Sequence, residues 1–338
     1  MACVSSLETL YYPSQRHPVS LPSFSFSLTL YLPIIMNTLA STRAFLRKKK
    51  NLYLSSVSVK RNQKRIIELA NTQHTIFLNP VPPPKGEGNI EHYYHFLFDL
   101  ILPLSILIDK TPPGVVFSLE EFGNLTPLLS EILGDRVTIQ SDTAAPSAGK
   151  IDLIGMDPLH VAVNRSQFQN LRKLILRAFQ LEACDTPTEI LLIERIPPDP
   201  YYLNDAQIKG AGASRRSIRN HQEFCDALRS QIKPPYEFHN LQLEKLSFKE
   251  QLKHFNAAAV VIAQHGAGLA NIVWMKDQSV VIELGFKSFP HFKILSAAKK
   301  HQYFLLNYLE EHIDVKTDVF SQWIAEQPEL AQFFKLPL

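Results

Sequence analysis

Two stretches carry residues whose types and spacing can do chemistry. The first is Asn89-Ile90-Glu91-His92-Tyr93-Tyr94-His95-Phe96-Leu97-Phe98-Asp99. Apolar residues at Phe96, Leu100, Leu104 and Leu107 recur at a helical spacing. On a helix, His92, His95 and Asp99 share one face, and His95 and Asp99, four apart, can hydrogen-bond each other. A histidine oriented by a carboxylate is the usual form of a general base. The same residues also suit an aromatic-rich helix start with core histidines, and spacing alone leaves both readings open.

The second stretch is Ala257 to Leu284, AAAVVIAQHGAGLANIVWMKDQSVVIEL. Ala257 to Ala263 is a short apolar run, the pattern of a strand buried on both faces of a parallel sheet. His265-Gly266-Ala267-Gly268 follows, then Leu269 to Met275, long enough for two helical turns, then a break and a strand-like Ser279 to Glu283. A glycine pair between a buried strand and a helix start lets the backbone approach a ligand. The free N–H groups of the first turn then favour an anion such as a sugar-nucleotide pyrophosphate. A tight turn without a ligand has the same glycines, but it does not need His265. The dinucleotide fingerprint is absent, because Asn271 stands where a third glycine is required. Glu283 closes the second strand on the edge where α/β sheets bind ligands. There it can accept two ribose hydroxyls, or it is an ordinary paired acid.

Arginines supply the complementary charge. Arg195 ends the strand Glu189 to Glu194, and Arg215, Arg216 and Arg219 lie in the segment leading to the next helix. Guanidinium groups bind phosphate bidentately. The other reading pairs two or more of them with surface acids.

The elements that must position these groups alternate. Asn51 to Val59 and Arg65 to Leu78 read as strands, followed by a turn-rich loop through Pro80 to Gly88. Val115 to Leu119, Val137 to Gln140 and Ile151 to Gly155 are further strands. Leu125 to Leu133 is a helix stopped by Gly134, and Ser166 to Phe179 is an amphipathic helix. Cys184 to Thr188 reads as a linker, after which the alternation restarts. Ile196 to Ser214 is a long loop. Asn220 with Glu223 and Ser247 with Glu250 have capping-box spacing. Glu237 to Leu243 is a strand, Phe289 to Lys299 a helix, Tyr303 to Leu306 a strand, and Gln322 to Phe334 a terminal helix able to pack back across the first half. Such alternation predicts an α/β fold with parallel sheets.

Bulk properties bound the rest. The 338 residues suffice for two domains, and 45% hydrophobic with 20% charged residues describes a globular chain. Ten of the 35 Lys/Arg fall in residues 1–67 against one acid, Glu8, so the remainder is mildly acidic and does not resemble a nucleic-acid binder. The basic front end suits an anionic membrane surface or nucleic acid, or is a merely solvated run. Val19 to Met36 is apolar but interrupted by Pro22 and Pro33, which argues against a spanning helix. It reads as a disordered or mis-started segment, or as a signal or anchor. Three cysteines without metal spacing suggest a reducing compartment.

Taken together, these residues resemble glycosyltransferase family 61. His265-Gly266-Ala267-Gly268-Leu269-Ala270-Asn271 with Val280 to Glu283 looks like that family's C-terminal signature. Tyr93 to Asp99 looks like its N-terminal helix, and Leu192 to Arg195 with Arg216 to Asn220 looks like its paired-arginine region. The resemblance implies two Rossmann-like domains facing across a cleft, the GT-B architecture. The expected divisions are a basic segment 1–50, an acceptor-side domain 51–185, a donor-side domain 186–320, and a C-terminal helix 321–338 packing back. It also implies an inverting transfer from a nucleotide-sugar, UDP-linked by expectation, to a glycan or lipid-linked glycan hydroxyl. His95 and Asp99 would be catalytic. Arg195, Arg216, Arg219, Asn220, His265, Gly266, Ala267, Gly268, Asn271 and Glu283 would hold the donor. No cofactor and no metal are expected, since the chain contains no D-x-D triplet. The loop Ile196 to Ser214 is long for the family, and Ala270 lacks a hydroxyl often found there. Without an evident anchor, the expectation is a bacterial-type enzyme of surface or capsular polysaccharide synthesis. It would work in the cytoplasm, peripherally at the inner membrane, with no nucleic-acid partner. Two rivals are a Rossmann enzyme using NAD or S-adenosylmethionine and a non-catalytic nucleotide-binding or scaffold protein of the same fold.

Overall fold

The computed structural model describes residues 32–335, apart from 85, 87, 141–148, 198–211 and 286–288. The expectations for residues 1–31, and for most of the loop 196–214, lie outside the described residues. The chain divides into two units, Met1–Lys48 and Lys49–Leu338, and both main sheets lie in the second.

Helix α1 (Leu32–Ala70) precedes strand β1 (Thr75–Val81). Here the structure departs from the sequence reading, which made strands of Asn51 to Val59 and of Arg65 onward. Val59, Ile66 and Ala70 are buried and recur at helical intervals, so burial of that stripe overrides the local β-preference of the valines. Asn62 also fastens α1 to the sheet edge, donating to the Asp152 carbonyl at 2.8 Å and accepting from the Ile154 N–H at 3.3 Å.

A helical turn α2 (Tyr93–His95) runs through a π-type stretch, Phe96–Ile101, into α3 (Leu102–Lys110). Pro103 has no N–H to give the carbonyl four residues back, and the Leu102 N–H reaches Leu97 instead, so the wide turn sits where the ladder is broken. Next come β2 (Val116–Glu120), α4 (Thr126–Leu133), β3 (Val137–Gln140), β4 (Ile151–Ile154) and α5 (Arg165–Ala178). The strands form a parallel sheet of order β3-β2-β1-β4.

The second half holds β5 (Glu189–Glu194), a short α6 (Gly212–Arg215), β6 (Ser217–Ile218), α7 (His221–Gln231), β7 (Glu237–Gln242) and α8 (Phe248–Ala257). It continues with β8 (Ala258–Gln264), a 3-10 stretch Ala267–Trp274, β9 (Val280–Gly285), α9 (His291–Lys299), β10 (Gln302–Asn307), β11 (His312–Ile313) and α10 (Thr317–Ala325). The main sheet, β10-β9-β8-β5-β7, is parallel throughout, and β6 pairs with β11. The fold is therefore α/β with parallel sheets, as expected.

Strand alternation divides the core. Leu191, Ile193, Val261, Ala263 and Val281 join a cluster continuous with the first half, while Ile190, Leu192, Val260, Ile262 and Ile282 face a second one. Phe320, Ile324, Leu330 and Phe334 belong to that second cluster. Among the described residues, the chain end therefore covers the outer face of its own sheet. Of the two capping boxes, Ser247 with Glu250 forms. Asn220 does not cap: its side chain exchanges hydrogen bonds with the Val315 backbone, because β11 runs alongside.

The halves are fastened through α5. Arg165 and Gln169 reach Asp277 at 2.6 and 2.9 Å, and Arg172 donates to the Trp274 carbonyl at 2.7 Å. Lys299, fully buried, meets the same carboxylate at 2.6 Å. Burial alone would raise the Asp277 pKa, but Lys299 first, then Arg165 and Gln169, bring it down to about 2.

Candidate functional site

The wide turn after α2 buries Asp99 and leaves His95 partly open. His95 Nδ1 and Asp99 Oδ2 are 2.7 Å apart, and the Asp157 N–H donates to Asp99 Oδ1 at 3.0 Å. Burial raises the Asp99 pKa, and the bond and charge of His95 pull it back. No described residue hydrogen-bonds His95 Nε2, so that nitrogen is the one a ligand can meet. Two glycines make room for the pair. A methyl on Gly88 would stand 2.7 Å from Asp99 Oδ2 and 2.8 Å from His95 Nδ1, and one on Gly155 would overlap the Asp99 carboxylate.

A second histidine–carboxylate pair stands at the glycine turn. His265 Nδ1 lies 2.5 Å from Glu283 Oε1, and the Tyr303 hydroxyl donates to Glu283 Oε2 at 2.7 Å. Glu283 is fully buried. Both of its oxygens are thus taken by the protein, and the structure does not present it to a ribose: it orients His265. The carboxylate in turn raises the Tyr303 pKa, after burial, which is the larger cause.

His291, absent from the sequence-derived set, stands between the two pairs. Its ring centroid is 5.5 Å from Tyr94 and 5.7 Å from His265, and Tyr94 is 5.3 Å from His95. Burial lowers the His291 pKa, and the charge of Asp157 opposes it. Tyr94 is held by its hydroxyl on Asp157 Oδ1 at 3.0 Å. A lone histidine opening a helix carries no spacing signal, so the sequence could not single it out.

Arg195 lies over the turn. Its guanidinium donates to the carbonyls of Gly212 (2.8 Å), Arg216 (3.0 Å) and His265 (3.3 Å), and it forms no ion pair with a described carboxylate. Burial, then the charge of Arg216, lowers its pKa to about 10. A methyl on Gly266 would fall on Arg195 Nη1. This close approach, rather than backbone dihedrals, is why the position is glycine. Arg216 is buried beside it, its guanidinium 5.5 Å from the Phe289 ring and 3.6 Å from Glu311. Its pKa is lowered by burial first.

A cavity of about 440 Å³ opens beside Arg195 and the turn. Gly266, Ala267 and Gly268 line one side, and His92 and Tyr93 of the first half line another. His95 and Asp99 do not line it. The rings of His291 and Tyr94 stand between them and His265, while the cavity lies on the side of Gly266.

Besides Glu283, three residues of the sequence-derived set sit elsewhere or act differently. Arg219 is exposed and bound to Asp314 at 2.6 Å, with Glu310 at 3.7 Å, because β6 brings it beside β11. Asn220 ties the same two segments together. Asn271, at the cavity wall, is fully buried and satisfied. It accepts from the Tyr93 hydroxyl and from Trp274 Nε1 (2.8 Å) and donates to Gln251 (3.1 Å), which makes it a tie between the halves. Among the described residues, no three His, Cys, Asp or Glu side chains gather as a metal site, and no helix is long and apolar enough to cross a membrane.

A family model described as glycosyltransferase 61 matches residues 93–282, more than half of the chain. No curated protein matches it.

Proposed function

Because the chain belongs to glycosyltransferase family 61, we propose that it moves a sugar from a nucleotide-sugar to a glycan hydroxyl, with inversion and without a metal ion. The observation that carries this reading is Arg195: a largely buried guanidinium, held by three carbonyls, without an ion pair to a described carboxylate, set over a glycine turn at a cavity. A buried cation of this kind is matched by an anionic ligand, and a diphosphate suits it. Arg195 and the turn supply the charge stabilisation that a divalent cation supplies elsewhere.

In this reading the diphosphate rests on Gly266 to Gly268, and the sugar extends toward the ring of His265. His95 Nε2 takes the proton of the acceptor hydroxyl while Asp99 holds the ring. The hydroxyl oxygen attacks the anomeric carbon as the bond to the diphosphate breaks, and the leaving charge passes to Arg195. Arg216 supports the same field. The presence of two parallel sheets supports reading 51–185 as an acceptor-side and 186–320 as a donor-side division facing in the GT-B manner. A UDP-linked donor and a role in surface or capsular polysaccharide synthesis on the cytoplasmic side belong to this reading. The free Cys184 and Cys225 suit such a compartment.

Isothermal titration with UDP, GDP and CDP, with and without EDTA, on the wild type and on Arg195→Ala tests it. Micromolar binding of one nucleotide, insensitive to EDTA and weakened at least about tenfold in the variant, is expected. A folded wild type that binds none of them, or binds only with a divalent cation, refutes the proposal.

A further inference from the structure

Resting on that reading, the inference concerns the nucleoside end of the cavity. Glu283, the carboxylate a sequence reading offers to a ribose, is fully buried and holds His265 and Tyr303. A vicinal diol binding in the cavity must therefore find another acceptor. Two carboxylates line the cavity, Glu194 and Glu244. Glu194 already accepts from Asn240 Nδ2 at 3.0 Å and lies 3.7 Å from His221 Nε2. The Glu244 carboxylate accepts no hydrogen bond from any other described residue. It stands in the turn Leu243–Lys245, directly after β7.

We infer that Glu244 is the residue that takes the ribose hydroxyls of the nucleoside diphosphate, with Leu243 and Leu246 forming the apolar wall beside the base.

Sheet order gives the geometric reason. In β8-β5-β7 the glycine turn follows β8, Arg195 follows β5 and Glu244 follows β7, all at the same edge of a parallel sheet. Neighbouring strands lie about 4.8 Å apart, so the ends of β8 and β7 that carry the turn and Glu244 lie about 10 Å apart. A pyrophosphate joined to a ribose spans such a distance. Laid along the edge, it puts its phosphates on the turn, passes Arg195, and brings its diol to Glu244. Arg195 is also the cation that acts on Glu244, whose pKa burial raises and Arg195 lowers. An ionised carboxylate accepts from both hydroxyls of a diol, and a glutamine in its place accepts them only weakly.

The test is calorimetric titration of wild type, Glu244→Gln and Glu194→Gln with UDP, GDP and CDP and with their 2′,3′-dideoxy counterparts. Wild type is expected to bind the ribonucleotide about ten- to a hundredfold more tightly than the dideoxy form. E244Q is expected to lose that preference while its affinity for the dideoxy form stays within about threefold, which also shows that the variant is folded. E194Q is expected to keep the preference. An undiminished preference in E244Q, or its loss in E194Q alone, overturns the inference and leaves the transferase reading standing. A folded wild type that binds no nucleotide overturns both.

Discussion

Replacing Gly266 by alanine tests the anion site without removing any charged group. The Gly266 backbone is extended, with φ 173° and ψ 168°, so alanine adds no dihedral strain. The added methyl would fall on Arg195 Nη1 and 3.0 Å from Cζ, where an ordinary contact is about 3.5 Å. The guanidinium must move, and its bond to the His265 carbonyl, already 3.3 Å long, is the first to break. Displaced, it no longer meets a diphosphate lying on the turn. One hydrogen bond to a charged group is worth about 1.5–3 kcal/mol, so affinity for the bound nucleoside diphosphate should fall about ten- to 150-fold. Gly114→Ala, outside the donor site, is the control: its methyl would meet nothing within 4 Å, and a change below about threefold is expected. Calorimetric titration with UDP, GDP and CDP reads both variants. If Gly266→Ala binds within about threefold of wild type, the guanidinium does not serve the anion and the close approach has no bearing on binding.

His95→Ala and Asp99→Asn should each lower sugar transfer about 10²- to 10⁴-fold while nucleotide affinity is retained. Loss of affinity instead, in the same titrations, would move His95 into the donor site. His301 is buried, its Nε2 on the Ile272 carbonyl at 3.0 Å, and burial, then the charge of Lys299, lowers its pKa to about 4. The unfolded chain therefore binds a proton below about pH 6.5 that the folded chain refuses. The stabilisation is complete above that pH and is lost as pH falls toward 4, about 3 kcal/mol in all. Urea unfolding of wild type and His301→Gln at pH 7 and 4.5 should show the wild type losing about 2–3 kcal/mol more than the variant; equal losses count against the assignment.

Local periodicity carried much of the molecule. The alternation of strands and helices, the face Phe168-Leu171-Ile175-Phe179 of α5, and the two-sided burial of β8 and β9 all follow from neighbours a few residues apart. So does the His95–Asp99 pair, because i and i+4 adjoin on any helix. The one long error, strands in place of α1, arose where β-branched residues were read without the surface they pack on.

Partners distant along the chain were decided by sheet order. Arg195 and Arg219 look alike in sequence, yet β5 carries one to the glycine turn, and the β6–β11 pairing carries the other to Asp314. Glu283 at a strand end could be a ribose acceptor or a paired acid on sequence alone; β10, laid beside β9, brings Tyr303 onto it, and the turn after β8 brings His265. Glu244 carried no signal at all, since it joins the site only because β7 lies next to β5. Residue types and short spacings determine which chemistry the chain carries. The order in which parallel strands are laid side by side decides which of those groups meet, because that order brings together side chains with no proximity in sequence.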